Sequence, residues 1–241
     1  QNNNLEKYNR DKIFFMTEFK RVLFVAAEQQ EINVAKAVTL QRAEADYLLT
    51  GVGITATTYH LLKRIMEARS CGNPYDLVIE LGIAGSYNME RFPSGSVALI
   101  SKEYFADLGF ETLFGFETLF DSYLPADTYP FRGGALERYR FDDKLEEGLA
   151  TLFKEGVGLS VQTITGTPAR EKMLREKYNP DIEGMEGAAL FYVSLLEHLP
   201  FLQLRSVSNP VGQSDSSKWT TSLALKNLKE AIAALCKLFN L

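Results

Sequence analysis

Leu77-Val78-Ile79-Glu80-Leu81-Gly82-Ile83-Ala84-Gly85 is an apolar, β-branched run followed by two glycines, the pattern of a buried strand that stops at Gly82. Upstream, Arg21–Ala27 (RVLFVAA) reads as another buried strand, with a helix over Ile32–Leu40. Tyr47–Val52 forms a second strand that ends in Gly51-Val52-Gly53, and Ala56–Ala68 follows as a helix with Leu61, Leu62, Ile65 and Met66 on its apolar stripe. Downstream the strands are Ser96–Ser101, Val157–Thr165 and Pro200–Ser208. Helices fall at Gly187–Glu197 and Thr221–Leu238. Short apolar runs alternating with helical patterns make an α/β fold. The expectation is a single-domain, three-layer αβα architecture over residues 16–241 around a central mixed, partly barrel-like sheet.

The chain has 241 residues, 46% hydrophobic and 24% charged, enough to bury a sizeable core and unlike a disordered protein. A net charge of −5 argues against nucleic acid as a partner, since a binder would show a basic stripe. Two cysteines, Cys71 and Cys236, exclude a disulfide framework and point to a reducing cytoplasm. With His60 and His198 as its two histidines, the chain offers no His-based metal centre. No apolar run approaches the ~18 residues of a spanning helix, so no membrane is expected. Gln1–Phe15 lacks the basic start and apolar core of a signal peptide and reads as a poorly ordered extension before Met16.

Two identical hexapeptides, Gly109–Phe114 and Gly115–Phe120 (GFETLF), follow one another. Two copies cannot build a solenoid. They are either a local surface duplication or part of an aromatic lid with Phe105 and Tyr123. The strand ends at Gly51/Gly53, Gly82–Gly85 and Ser208-Asn209 concentrate residues suited to a ligand off the carboxyl edge of a sheet. G-x-G-x-x-G and the P-loop pattern are missing, which leaves a dinucleotide or P-loop cofactor unsupported. In Asp181–Ala189 two carboxylates, Glu183 and Glu186, flank Met185. Glu183 reads as an ordinary helix-start carboxylate. Glu186 leads into small residues, where a buried carboxylate needs hydroxyl or N–H partners such as a sugar diol.

Taken together, Gly51-Val52-Gly53, Leu81–Gly85, Met185-Glu186-Gly187-Ala188-Ala189 and Arg205-Ser206-Val207-Ser208-Asn209 resemble the nucleoside phosphorylase/nucleosidase family from Arg21 to Leu238. Phe105–Gly109, Thr163–Arg170 and Ser208–Gly212 with Asp215 and Trp219 are most similar to its futalosine-hydrolysing branch. The resemblance implies a cofactor-free nucleosidase of menaquinone biosynthesis that releases hypoxanthine and works as a homo-oligomer. It puts the water-activating carboxylate on Glu31, with Glu28 as competitor, and the ribose on Glu186 and Met185. Asn209, where adenine-specific relatives carry Asp, would serve a 6-oxopurine: its amide donates to O6 and its carbonyl accepts from a protonated N7. The competing reading makes Asn209 a turn former before Pro210. Gly82, Ala84, Gly85, Phe105, Thr165 and Arg170 complete the expected substrate contacts. Arg170 or Arg132 would meet a substrate carboxylate, and Phe105 its aromatic ring. Phosphorylases place Arg and Ser where this chain has Glu80 and Ile83, so Glu80 is expected to repel phosphate and leave water as nucleophile. The alternatives are a methylthioadenosine/adenosylhomocysteine nucleosidase, a purine nucleoside phosphorylase, or a non-enzymatic nucleoside-binding module.

Overall fold

The β-branched runs pair into one mixed sheet with helices on both faces. In the computed structural model, residues 13–14, 18–113 and 115–241 are described. The expected extension over residues 1–15 lies, apart from β1 (Ile13–Phe14), outside them. The remaining elements are β2 (Arg21–Ala26), α1 (Gln29–Lys36), β3 (Glu44–Leu49), α2 (Ile54–Ser70), β4 (Leu77–Ser86), β5 (Val97–Phe105), β6 (Gly109–Thr112), β7 (Gly115–Thr118), α3 (Leu119–Ser122), β8 (Leu136–Glu137), β9 (Arg140–Phe141), α4 (Asp143–Leu152), β10 (Lys154–Ser160), α5 (Pro168–Tyr178), β11 (Ile182–Gly184), α6 (Gly187–Leu196), β12 (Phe201–Pro210) and α7 (Thr221–Leu238).

The main sheet runs β11-β10-β5-β12-β4-β2-β3, and β11 also pairs with β4. That second pairing closes five strands into a barrel and leaves β2 and β3 as a wing. β12 is parallel to β4 and antiparallel to β5, which makes the sheet mixed. Alternation along the strands feeds two cores. Val22, Phe24, Ile79 and Leu204 pack with α1, α4 and α7, while Leu23, Val25, Val78 and Ile100 pack with α2 and α6.

Two departures from the sequence reading bear on the site. β4 does not stop at Gly82: it continues to Ser86, and its last residues pair with β11 (Glu183 opposite Gly85) to close the barrel. The reason is space. A Cβ on Gly82 would lie 2.1 Å from Arg205 Nη1, so this glycine makes room for a neighbour instead of ending a strand. The hexapeptide copies pair with each other as the antiparallel hairpin β6–β7, with Gly109 opposite Thr118 and Thr112 opposite Gly115.

Candidate active site

A cavity of about 480 Å³ opens where β2, β4 and β12 end, within the size range of small-molecule sites. Its walls come from the chain after β2, the β3–α2 loop, the end of β4, β11 with the start of α6, and the end of β12 with the loop to α7.

Glu31 reaches it because α1 begins directly after β2 and turns this position inward, burying Glu31 beside Ile32, Val34 and Ala35. One carboxylate oxygen accepts the N–H of Ile83 (2.9 Å), the other the N–H of Glu28 (3.0 Å). The second bond is half of a capping box, so Glu31 also ties down the first turn of its own helix. Burial pushes its carboxyl above the ordinary glutamate value, against the opposing pull of the Ile83 N–H and the Arg205 charge. A carboxylate in that condition is suited to taking a proton from water. Glu28, the competitor, sits exposed at the helix cap on the rim, bonded to Gln30.

Glu186 is held by the N–H of Gly53 (3.0 Å), a glycine at φ +94° that turns the chain into α2. Only a residue free of a Cβ adopts that conformation cheaply. Met185 lines the same wall. Asn209 closes the third side, on a strand residue opposite Gly85. β12 runs through it to Pro210 with a bulge between Val207 and Asn209, so it is no turn former. Its carbonyl accepts from Ser208 Oγ (2.7 Å), and its amide donates to the Pro210 carbonyl (2.9 Å).

Residues 28–240 match the phosphorylase superfamily. The chain is 34% identical over 195 residues to a futalosine hydrolase of Streptomyces coelicolor, covering 79% of this chain and 77% of the relative. With the futalosine hydrolase of Thermus thermophilus it shares 31% identity over 196 residues, 78% and 80% of the two chains. The chain belongs to the futalosine hydrolase family, within the phosphorylase superfamily. The fold agrees. A futalosine hydrolase from Helicobacter pylori superposes with TM-score 0.71 at 15% identity over 91% of this chain and 98% of that one. A methylthioadenosine/adenosylhomocysteine nucleosidase from Colwellia psychrerythraea, solved with adenine, superposes with TM-score 0.73 at 18% identity over 92% and 96%.

In this futalosine hydrolase family member the cavity wall brings together Glu31, Ala84, Gly85, Met185, Glu186 and Asn209. Gly82, Phe105, Thr165 and Arg170 are not on the wall. Gly82 lies against the Arg205 guanidinium. Phe105 packs on Phe131 and Tyr192, against the core that α2 and α6 cover. Arg170 is paired with Asp107 at 3.2 Å, and Arg132 with Glu137. Thr165 donates through N–H (2.9 Å) and Oγ1 (2.6 Å) to Glu183. The other aromatics of the expected lid also lie elsewhere, Phe110 on Tyr123 and Phe120 on Phe131.

Three corrections concern charge and cavity lining. Glu183 is no helix-start residue: it lies in β11, buried, and accepts from Tyr87 as well as Thr165. Glu80 does not face an incoming anion. It is 2% exposed and bound to Arg205 at 2.9 Å, and the carboxylates that do line the cavity are Glu28, Glu31, Glu183 and Glu186. Trp219, part of the motif after Ser208–Gly212, lines the cavity, and its indole N–H is fixed on the Gln213 carbonyl (2.8 Å). The signal for Arg205 and Glu80 was present in the sequence: each is the lone charge of an inner strand, which must find a partner. Among the described residues no group of three or more His, Cys, Asp or Glu is arranged to hold a metal ion, and no helix is long and apolar enough to cross a membrane.

Proposed function

We propose that the protein hydrolyses the N-ribosidic bond of futalosine, releasing hypoxanthine and dehypoxanthine futalosine in menaquinone biosynthesis. The observation that carries this is a cavity with a proton-accepting carboxylate, Glu31, on one wall, a second carboxylate, Glu186, on another, and a carboxamide, Asn209, on the third. Glu31 takes a proton from water as the water oxygen bonds to the ribose C1′ and the C1′–N9 bond breaks, the electron pair leaving with the purine, which takes up a solvent proton at N7. Glu186 accepts from the ribose hydroxyls, bonds that strengthen as positive charge builds on the ring. Asn209 gives its amide to purine O6 and its carbonyl to the N7 proton, exchanging its contacts with Pro210 and Ser208 for contacts with the base. Met185 and Trp219 supply apolar surface to sugar and base. Four carboxylates line the cavity, Glu28, Glu31, Glu183 and Glu186, and disfavour a phosphate nucleophile, which supports hydrolysis over phosphorolysis.

The reading takes residues 16–241 as one cytoplasmic domain that assembles as a homo-oligomer. Exposed Tyr59, Leu62 and Met66 on one face of α2 support the last point. A methylthioadenosine nucleosidase is the second reading, and Asn209 in place of an acid counts against it. A panel of futalosine, methylthioadenosine and inosine, each with and without phosphate, tests the assignment. Hypoxanthine release from futalosine in phosphate-free buffer is expected. Faster cleavage of methylthioadenosine, or a requirement for phosphate, would refute it.

A further inference from the structure

Behind the cavity wall, the charges of Glu80, Glu186, Glu31 and Glu103 all act on one arginine. Arg205 of β12 is 2% exposed and contacts Glu80 of β4 through Nη2 at 2.9 Å; the same nitrogen lies 3.4 Å from Glu186 Oε2. Its Nη1 lies over Gly82, where a Cβ would stand 2.1 Å from that nitrogen and 3.1 Å from Glu31 Oε1. Its Nε has no hydrogen-bond partner among the described residues. Gly184 of β11 faces the guanidinium from the other side, at 3.6 Å from a would-be Cβ. The group thus lies between two glycines that restrain it only by contact. How far it reaches toward the cavity is set by its hydrogen bond inward, to Glu80.

We infer that Glu80, which has no place on the cavity wall, is a positioning residue: by holding Arg205 inward it fixes the cation behind two of the cavity carboxylates, Glu31 and Glu186. Bond lengths support this, since the guanidinium lies closer to Glu80 than to Glu186. The register supports it too. Gln203 is opposite Glu80 and Arg205 opposite Gly82 in the parallel β12–β4 pair, so the anchor comes from the residue two before the glycine that makes the room. Loosening the anchor lets the cation move toward the mouth. Shortening it draws the cation away.

The inference rests on the proposed roles of Glu31 and Glu186, so its test includes a measurement made without substrate. The groups facing Glu31 are Arg205 from β12, Glu186 at the start of α6, Glu80 from β4, and the N–H groups of Ile83 and Glu28. Glu80→Leu removes the acceptor, and Glu80→Asp keeps it on a stem one methylene shorter. In carbon-13 titrations of the intact protein, with the Glu31 signal assigned through Glu31→Gln, the Leu variant is expected to lower the Glu31 midpoint and the Asp variant to raise it. The acid limb of kcat for futalosine should move the same way. kcat itself should fall about 10- to 100-fold in each, the cost of a misplaced charge at a reacting centre, with KM changed less.

A merely structural residue would lower thermal stability without moving the midpoint in opposite directions. If Glu80→Leu does not fold, Glu80→Asp alone decides the matter. A folded Asp variant with the wild-type Glu31 midpoint and wild-type kcat overturns the inference. Failure of the wild-type protein to cleave futalosine would sink the functional reading alone, and the titration would still decide whether Glu80 places Arg205.

Discussion

Glu31 and Glu28 are three residues apart, yet one is buried in the wall and the other sits in solvent at the rim. Glu31→Gln should keep the fold, because the amide carbonyl still accepts one of the two N–H bonds, and should keep ligand binding. It removes the proton acceptor, so kcat for futalosine should fall about 10²- to 10⁴-fold. Glu28→Gln should cost far less, and steady-state kinetics on both variants would show whether that order holds. Asn209 bears on leaving-group choice. Asn209→Asp presents a lone pair where O6 needs a donor, an unmatched buried contact of about 1–3 kcal/mol. The kcat/KM ratio of futalosine to its 6-amino counterpart should therefore drop by roughly tenfold or more; an unchanged ratio would put base choice elsewhere.

Among the elements, β4 shows both what the sequence made legible and what it hid. Its first half reads directly as a buried strand because Leu77, Val78, Ile79 and Leu81 are apolar and β-rich. Its second half, Gly82–Ser86, reads as a strand end because glycine punctuates both strand ends and close approaches, and only the partner side chain tells them apart. That partner, Arg205, is far along the chain. The same limit explains why β11, three residues long, and the self-pairing of the hexapeptides escaped a reading based on periodicity. Glu31, Met185, Glu186 and Asn209 are put on the site by the family resemblance, and all four line the cavity. Thr165 and Arg170 were legible as residues but not as placements, since their partners, Glu183 on the wall and Asp107 away from it, are chosen by the tertiary fold. Gly82→Ala should cost about 1–3 kcal/mol in chemical denaturation, because the methyl meets a guanidinium that is pinned on its far side. Gly72→Ala would be a control for backbone alone: Gly72 adopts φ +70° with nothing near its would-be Cβ.

For the molecule as a whole, the buried charge couples stability to pH. Burial pushes Glu103 up to about 7 and Glu80 up to about 8, from 4.5. Folded protein therefore holds protons that unfolded chain has already released between about 4.5 and those values. Their stabilisation is complete below the ordinary glutamate value and is lost as pH rises through 7 to 8. Urea midpoints should fall across that window, and Glu103→Gln should flatten the slope if it folds; a flat wild-type profile would contradict the assignment. At the acid end the sign reverses for Glu146. Although burial opposes it, the bonds from Arg138 and the Phe141 N–H hold its carboxyl below the usual range, so its contribution disappears as pH drops through that lowered value.

The strand order has a consequence for how the chain is made. β12, the last strand to be synthesised, lies in the middle of the sheet between β4 and β5. A nascent chain that has emerged only through α6 already carries Glu31, Glu186 and the β11–β4 pairing, but it lacks the strand that fills the gap between β4 and β5, and with it Arg205 and Asn209. The early strands must wait, edges unpaired, for the carboxyl-terminal fifth of the protein to leave the ribosome. Vectorial folding is closed to this topology, and so is any active amino-terminal fragment.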